Sequence, residues 1–92
     1  MEVLVFSKKE CPPCEKLKDM IPEFQEDYPN VSWTIIDYDE NPILVKQFHI
    51  TKTPTTVIIK NKTMVNMIIG LEYAKIHSSL KFLTNFINIE DF

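Results

Sequence analysis

The sequence predicts an α/β chain: a four-stranded mixed sheet with helices on both faces, in the order βαβαββα. Three observations carry this. A continuous apolar run at residues 3–6 leads into a helically spaced apolar stripe and then an alternating segment at 31–37, the pattern of a βαβ unit. Two β-rich runs, 55–60 and 63–69, flank Asn61-Lys62 as a hairpin would. A second stripe of Tyr73, Ile76, Leu80, Leu83 and Ile87, widened by Phe82 and Phe86, predicts a closing amphipathic helix.

Taken in order, the first run is apolar at every position, as suits a strand buried on both faces. Cys14, Leu17, Met20/Ile21, Phe24 and Tyr28 then share one helical face, with Glu15, Lys16, Lys18, Asp19, Glu23 and Glu26 off it. This helix is expected to start at Pro13, because a residue before proline is pushed from helical angles, and to run to about Asp27. Pro22 lies inside it and should kink it. In the second strand Val31, Trp33 and Ile35 share one face, and Ser32, Thr34 and Ile36 the other. Asn41 reads as an N-cap with Pro42 in the first helical position, opening a short helix that ends near Phe48-His49. The first two strands, joined by a helix, should be parallel with a right-handed crossover. The hairpin adds antiparallel strands.

The chain has 92 residues, 45% of them hydrophobic and 25% charged. That predicts one domain, residues 1–92, with a modest core. The net charge is −3, and all ten basic residues are lysines. No basic face for nucleic acid is expected. No apolar run approaches the ~20 residues of a membrane span. The acidic first few residues read as a strand and not as a signal peptide. We expect a cytoplasmic protein, where two cysteines are more often catalytic or metal-binding than structural.

The chemistry is concentrated in Cys11-Pro12-Pro13-Cys14, placed between a strand and a helix. A helix N-terminus offers unpaired N–H groups and a positive dipole end, and both favour a thiolate. Cys11, ahead of the helix, is expected to be the nucleophile. Cys14, on the buried stripe, is expected to resolve the mixed disulfide. Lys8 and Lys9 would favour the thiolate and Glu10 would oppose it. A purely stabilising disulfide closing so short a loop would contribute only about 2 kcal/mol. A closed zinc site needs four ligands, and His49 and His77 lie on separate elements without metal spacing. Neither alternative explains the strand–cysteine–helix placement.

With these pieces in view, the sequence resembles the thioredoxin family. The matching segments are residues 3–6, Cys11-Pro12-Pro13-Cys14, the run from Asp37 to Pro42, Thr53-Pro54-Thr55, and Gly70. The resemblance implies a thioredoxin-like fold without the first strand and helix of full-length thioredoxins. It implies a cis Thr53–Pro54 bond beside the cysteines, with the Thr53 backbone pairing with an extended substrate segment. Pro12, Pro13, Pro54 and Gly70 would complete the substrate groove. It further implies a dithiol–disulfide oxidoreductase acting on protein disulfides as a monomer. Its electrons would come from an upstream reductase or glutathione, with no cofactor and no metal beyond the cysteine pair. A glutaredoxin acting with glutathione is the nearest alternative. A non-catalytic binding module or a metal or Fe–S carrier is the other. The Gly-Gly-x-Asp segment of glutaredoxins is absent, since Gly70 is followed by Leu71-Glu72. The family's usual buried Asp is replaced by Val5, its partner Lys by Ile35, and the Trp before the first cysteine by Glu10. The Gly after the second helix is replaced by His49, for which a left-handed helix C-terminus is expected. His77 is expected to be solvated.

Overall fold

The computed structural model describes residues 1–90, with side chains through Thr84. The elements are β1 (Glu2–Ser7), α1 (Pro12–Asp27), β2 (Ser32–Asp37), α2 (Pro42–Gln47), β3 (Thr55–Lys60), β4 (Thr63–Ile69) and α3 (Tyr73–Glu90). The strands form one sheet in the order β2-β1-β3-β4. β1 pairs in parallel with β2 and antiparallel with β3, and β3 pairs antiparallel with β4. The predicted mixed α/β architecture is therefore present.

Strand alternation divides the core in two. Val3, Val5, Ile58 and Ile68 meet Leu17, Ile21 and Phe24 of α1 and Ile76 and Leu80 of α3. On the other face Phe6, Ile36 and Val57 meet Ile50, with Leu44 and Val45 of α2 packed against them. β1 is central and contributes to both clusters, which is why its sequence carries no polar alternation. Phe24 stacks between Trp33 and Tyr73, at centroid distances of 5.3 and 5.0 Å.

Several local expectations need correction. α1 begins at Pro12, one residue before the expected start, because the Cys11 carbonyl accepts the first helical bond from the Glu15 N–H at 3.1 Å. Two successive prolines fit there because neither donates a bond in a first turn. The far end of the helix falls at Asp27 as expected, with Pro22 inside it. Asn41 occupies the N-cap of α2, but its side chain does not cap. Its amide donates instead to the Asp37 carbonyl at 2.9 Å, while Asp37 Oδ1 accepts from the Asp39 and Glu40 N–H groups. Ile35, which faces Val5 across the β1–β2 ladder, is 49% exposed because β2 is a sheet edge. Phe82 is 67% exposed and does not widen the core face of α3. The side chains of Phe86 and Ile87 lie outside the described residues. His77 is not simply solvated: it meets Tyr28 edge-on at 5.6 Å and Tyr73 at 5.9 Å.

His49 has φ 56 and closes α2. The His49 N–H donates to the Lys46 carbonyl and the Ile50 N–H to the Val45 carbonyl, a Schellman arrangement with histidine at the left-handed position usually held by glycine. Asn61 and Lys62 both have positive φ, 54 and 64, which makes the hairpin loop a two-residue turn of the I′ kind.

Candidate active site

The cysteines sit where β1 hands over to α1. Glu10, at φ 55, turns the chain, and Cys11 takes extended angles at the N-cap. Cys11 and Cys14 form a disulfide with their Cα atoms 5.2 Å apart. Helical spacing accounts for this reach, since residues three apart share one face. Cys11 is partly exposed and Cys14 is fully buried. Pro12 and Pro13 lie on the exposed first turn between them.

Thr53 comes to this pair from the start of the hairpin. Its Oγ1 lies 3.8 Å from Cys11 Sγ and its carbonyl oxygen 4.0 Å. The Thr53–Pro54 bond is cis, as the resemblance implied. Pro54 is buried, and its carbonyl accepts the Gly70 N–H at 2.8 Å. Gly70 has φ 93, a conformation in which a side chain would be strained. One locus therefore gathers Cys11, Cys14, Thr53, Pro54 and Gly70, which are separated in sequence.

Lys8 and Lys18 each lie against a carboxylate of their own. Lys8 lies 4.0 Å from Asp39 and 5.0 Å from the centre of the Tyr38 ring. Lys18 pairs with Glu15 at 3.3 Å. Val5, where a carboxylate would lie in the resembling family, is fully buried. No group of three or more His, Cys, Asp or Glu side chains among the described residues could hold a metal ion.

Two features were missed by sequence reasoning. The Thr53 hydroxyl beside Cys11 has no signal in the sequence, since the resemblance assigns a role to the Thr53 backbone alone. Ser7 and Thr56 are buried, and neither hydroxyl has a hydrogen-bond partner among the described residues. Their parity with Val3, Val5 and Ile58 was available in the sequence as a signal, given the correct strand pairing.

A disulfide thus sits at a helix N-terminus on an α/β sheet, one sulfur reachable and the other buried, flanked by a cis-proline. The chain belongs to the thioredoxin family: the sequence model described as "Thioredoxin" matches residues 1–82. Thioredoxin H5 of Oryza sativa subsp. japonica is 34% identical over 68 residues, covering 74% of this chain and 50% of that protein. Mitochondrial thioredoxin-3 of Saccharomyces cerevisiae is 28% identical over 81 residues, covering 88% and 64%. The crystal structure of that yeast protein in its oxidised form superposes with a TM-score of 0.83, covering 87% of this chain and 76% of that one. Thioredoxin of Trypanosoma brucei brucei shares the fold at a TM-score of 0.85 and 21% identity, covering 91% and 74%. This chain spans about half the length of the rice relative.

Proposed function

We propose that this chain is a dithiol–disulfide oxidoreductase that reduces protein disulfides through Cys11 and Cys14. The observation that carries the reading is the asymmetry of the pair: Cys11 is reachable beside Thr53, and Cys14 is sealed beneath it. Cys11 attacks as the thiolate and forms a mixed disulfide, and the first substrate sulfur leaves. Cys14 then attacks Cys11 Sγ, the intramolecular disulfide closes, and the second substrate sulfur leaves. The Thr53 backbone pairs with an extended substrate segment, and Pro12, Pro13, Pro54 and Gly70 line its groove. No cofactor beyond the two cysteines enters this scheme. An upstream reductase or glutathione returns the disulfide to the dithiol. We assign it a single domain over residues 1–92, a monomeric state and a reducing compartment such as the cytoplasm.

The test is reduction of insulin with dithiothreitol as electron source. The wild type should accelerate the reaction over dithiothreitol alone, and Cys11→Ser should abolish the acceleration. No acceleration by the wild type overturns the reading.

A further inference from the structure

A buried hydroxyl without a partner costs about 1–3 kcal/mol, and such groups call for an explanation. Ser7 Oγ and Thr56 Oγ1 are two of only three such side-chain atoms among the described residues, the third being Trp33 Nε1. Ser7 and Thr56 are 3% and 0% exposed.

Their placement is specific. Thr56 lies directly opposite Val5 in the β1–β3 ladder, and opposed residues present their side chains on the same face. Val3, Val5 and Ile58 belong to the cluster under α1, whereas Phe6 and Val57 belong to the opposite one. Alternation therefore puts Ser7 and Thr56 on the α1 face. Ser7 ends β1 and Thr56 is the second residue of β3, so both lie at the cysteine end of the sheet. The buried stripe of α1 begins at that end with Cys14, followed one turn later by Leu17. Two unpartnered hydroxyls thus share the face and the end of the sheet over which the Cys14 stripe of α1 packs, Ser7 following Val5 along β1 and Thr56 opposite it on β3.

We infer that Thr56, with Ser7 beside it, is a positioning residue for the reduced Cys14 sulfur. The inference rests on the exchange chemistry proposed above. In the disulfide, Cys14 has no S–H to donate, and the hydroxyls remain unpaired. On reduction Cys14 gains a thiol that donates to Thr56 Oγ1. When ionised, the same sulfur accepts from that hydroxyl, which no longer stays orphaned. In the resolving step the Cys14 thiol releases its proton and its sulfur bonds to Cys11 Sγ. The bond from Cys11 to substrate breaks, and the departing substrate sulfur takes up a proton. Thr56 holds the attacking sulfur and lowers the cost of its ionisation; it does not act as a base. The hydroxyl is silent in the oxidised state and engaged in the reduced one, so it favours the dithiol.

The experiment compares wild type, Thr56→Val and Thr56→Ser in glutathione redox buffers, following the Cys11–Cys14 equilibrium. This readout needs no protein substrate, so a failed insulin assay and a failed inference are distinguishable. Thr56→Val should shift the equilibrium about fivefold to tenfold toward the disulfide; tenfold is about 30 mV for a two-electron couple. Thr56→Ser should keep the wild-type value. Oxidised Thr56→Val should melt no lower than oxidised wild type, since it loses a hydroxyl that has no partner there. An unshifted equilibrium in Thr56→Val, or an equal shift in both variants, overturns the inference. If Thr56→Val does not fold, Cys11→Ser decides, because it leaves Cys14 as its only thiol. Its S–H stretch in infrared should lie below that of a free thiol, and an unshifted band overturns the inference.

Discussion

Thr53 Oγ1 approaches Cys11 Sγ to 3.8 Å across 42 positions of sequence. In the reduced protein that hydroxyl can donate to the Cys11 thiolate, the attacking form in exchange. Thr53→Val keeps the shape and removes the donor. Cys11 alkylation by iodoacetamide should slow severalfold at neutral pH in this variant, and the pH midpoint of alkylation should rise. An unchanged profile would mean that the hydroxyl contributes nothing to thiolate stability.

The two cysteines should fail in different ways. Cys14→Ser leaves Cys11 able to attack but unable to close the intramolecular disulfide. It should accumulate a long-lived mixed disulfide with a disulfide-containing protein, visible by mass spectrometry and released by dithiothreitol. Cys11→Ser should form no such adduct, because Cys14 is fully buried.

The hairpin turn carries a cost that a substitution can relieve. Lys62 is held at φ 64, where a side chain costs roughly 1–2 kcal/mol. Lys62→Gly returns part of this to unfolded-chain entropy. A net gain of about 0.5–1 kcal/mol is expected. In a domain of this size that raises the melting temperature by roughly 2–8 °C. A lowered melting temperature would contradict this account of the turn.

Stability should decline at alkaline pH. Tyr73 is raised above its ordinary value of 10.0, chiefly by the hydrogen bond that its hydroxyl donates to Glu23 at 3.0 Å. Tyr28 is raised by burial and then by the Asp27 charge. A phenol whose folded-state value is raised binds its proton more tightly when folded. The stabilisation is complete below pH 10 and is lost as pH rises through the folded-state value. Denaturant unfolding followed from pH 8 to 11 should show this fall, and Tyr73→Phe should weaken it. A flat profile in the wild type would count against both shifts.

Much of the fold was legible because hydrophobic spacing alone separates the two stripes, Cys14–Leu17–Ile21–Phe24 and Tyr73–Ile76–Leu80, from the intervening strands. The cysteine site was legible through its position between strand and helix together with Thr53-Pro54. What stayed hidden depended on tertiary neighbours. Ile35 alternates as a core residue would, yet it is exposed because the sheet ends at β2. His77 lies off the apolar stripe but meets Tyr28, contributed by the distant end of α1. Asn41 has the right identity for a cap, but the Asp37 carbonyl takes its amide. Ser7 and Thr56 look like ordinary strand residues until the β1–β3 register sets them on one face.

The central position of β1 also bears on the order of synthesis. β1 is made before β2 and β3, and its edge toward β3 stays unpaired until β3 follows. At about 5–20 residues per second, that interval lasts on the order of seconds. During it Cys11 and Cys14 are already part of the growing chain, while the strand that will carry Thr56 and the Thr53–Pro54 wall does not yet exist. The thiols are then exposed without the geometry that later directs them. A nascent chain of this topology depends on its surroundings to keep those thiols from pairing with the wrong partner.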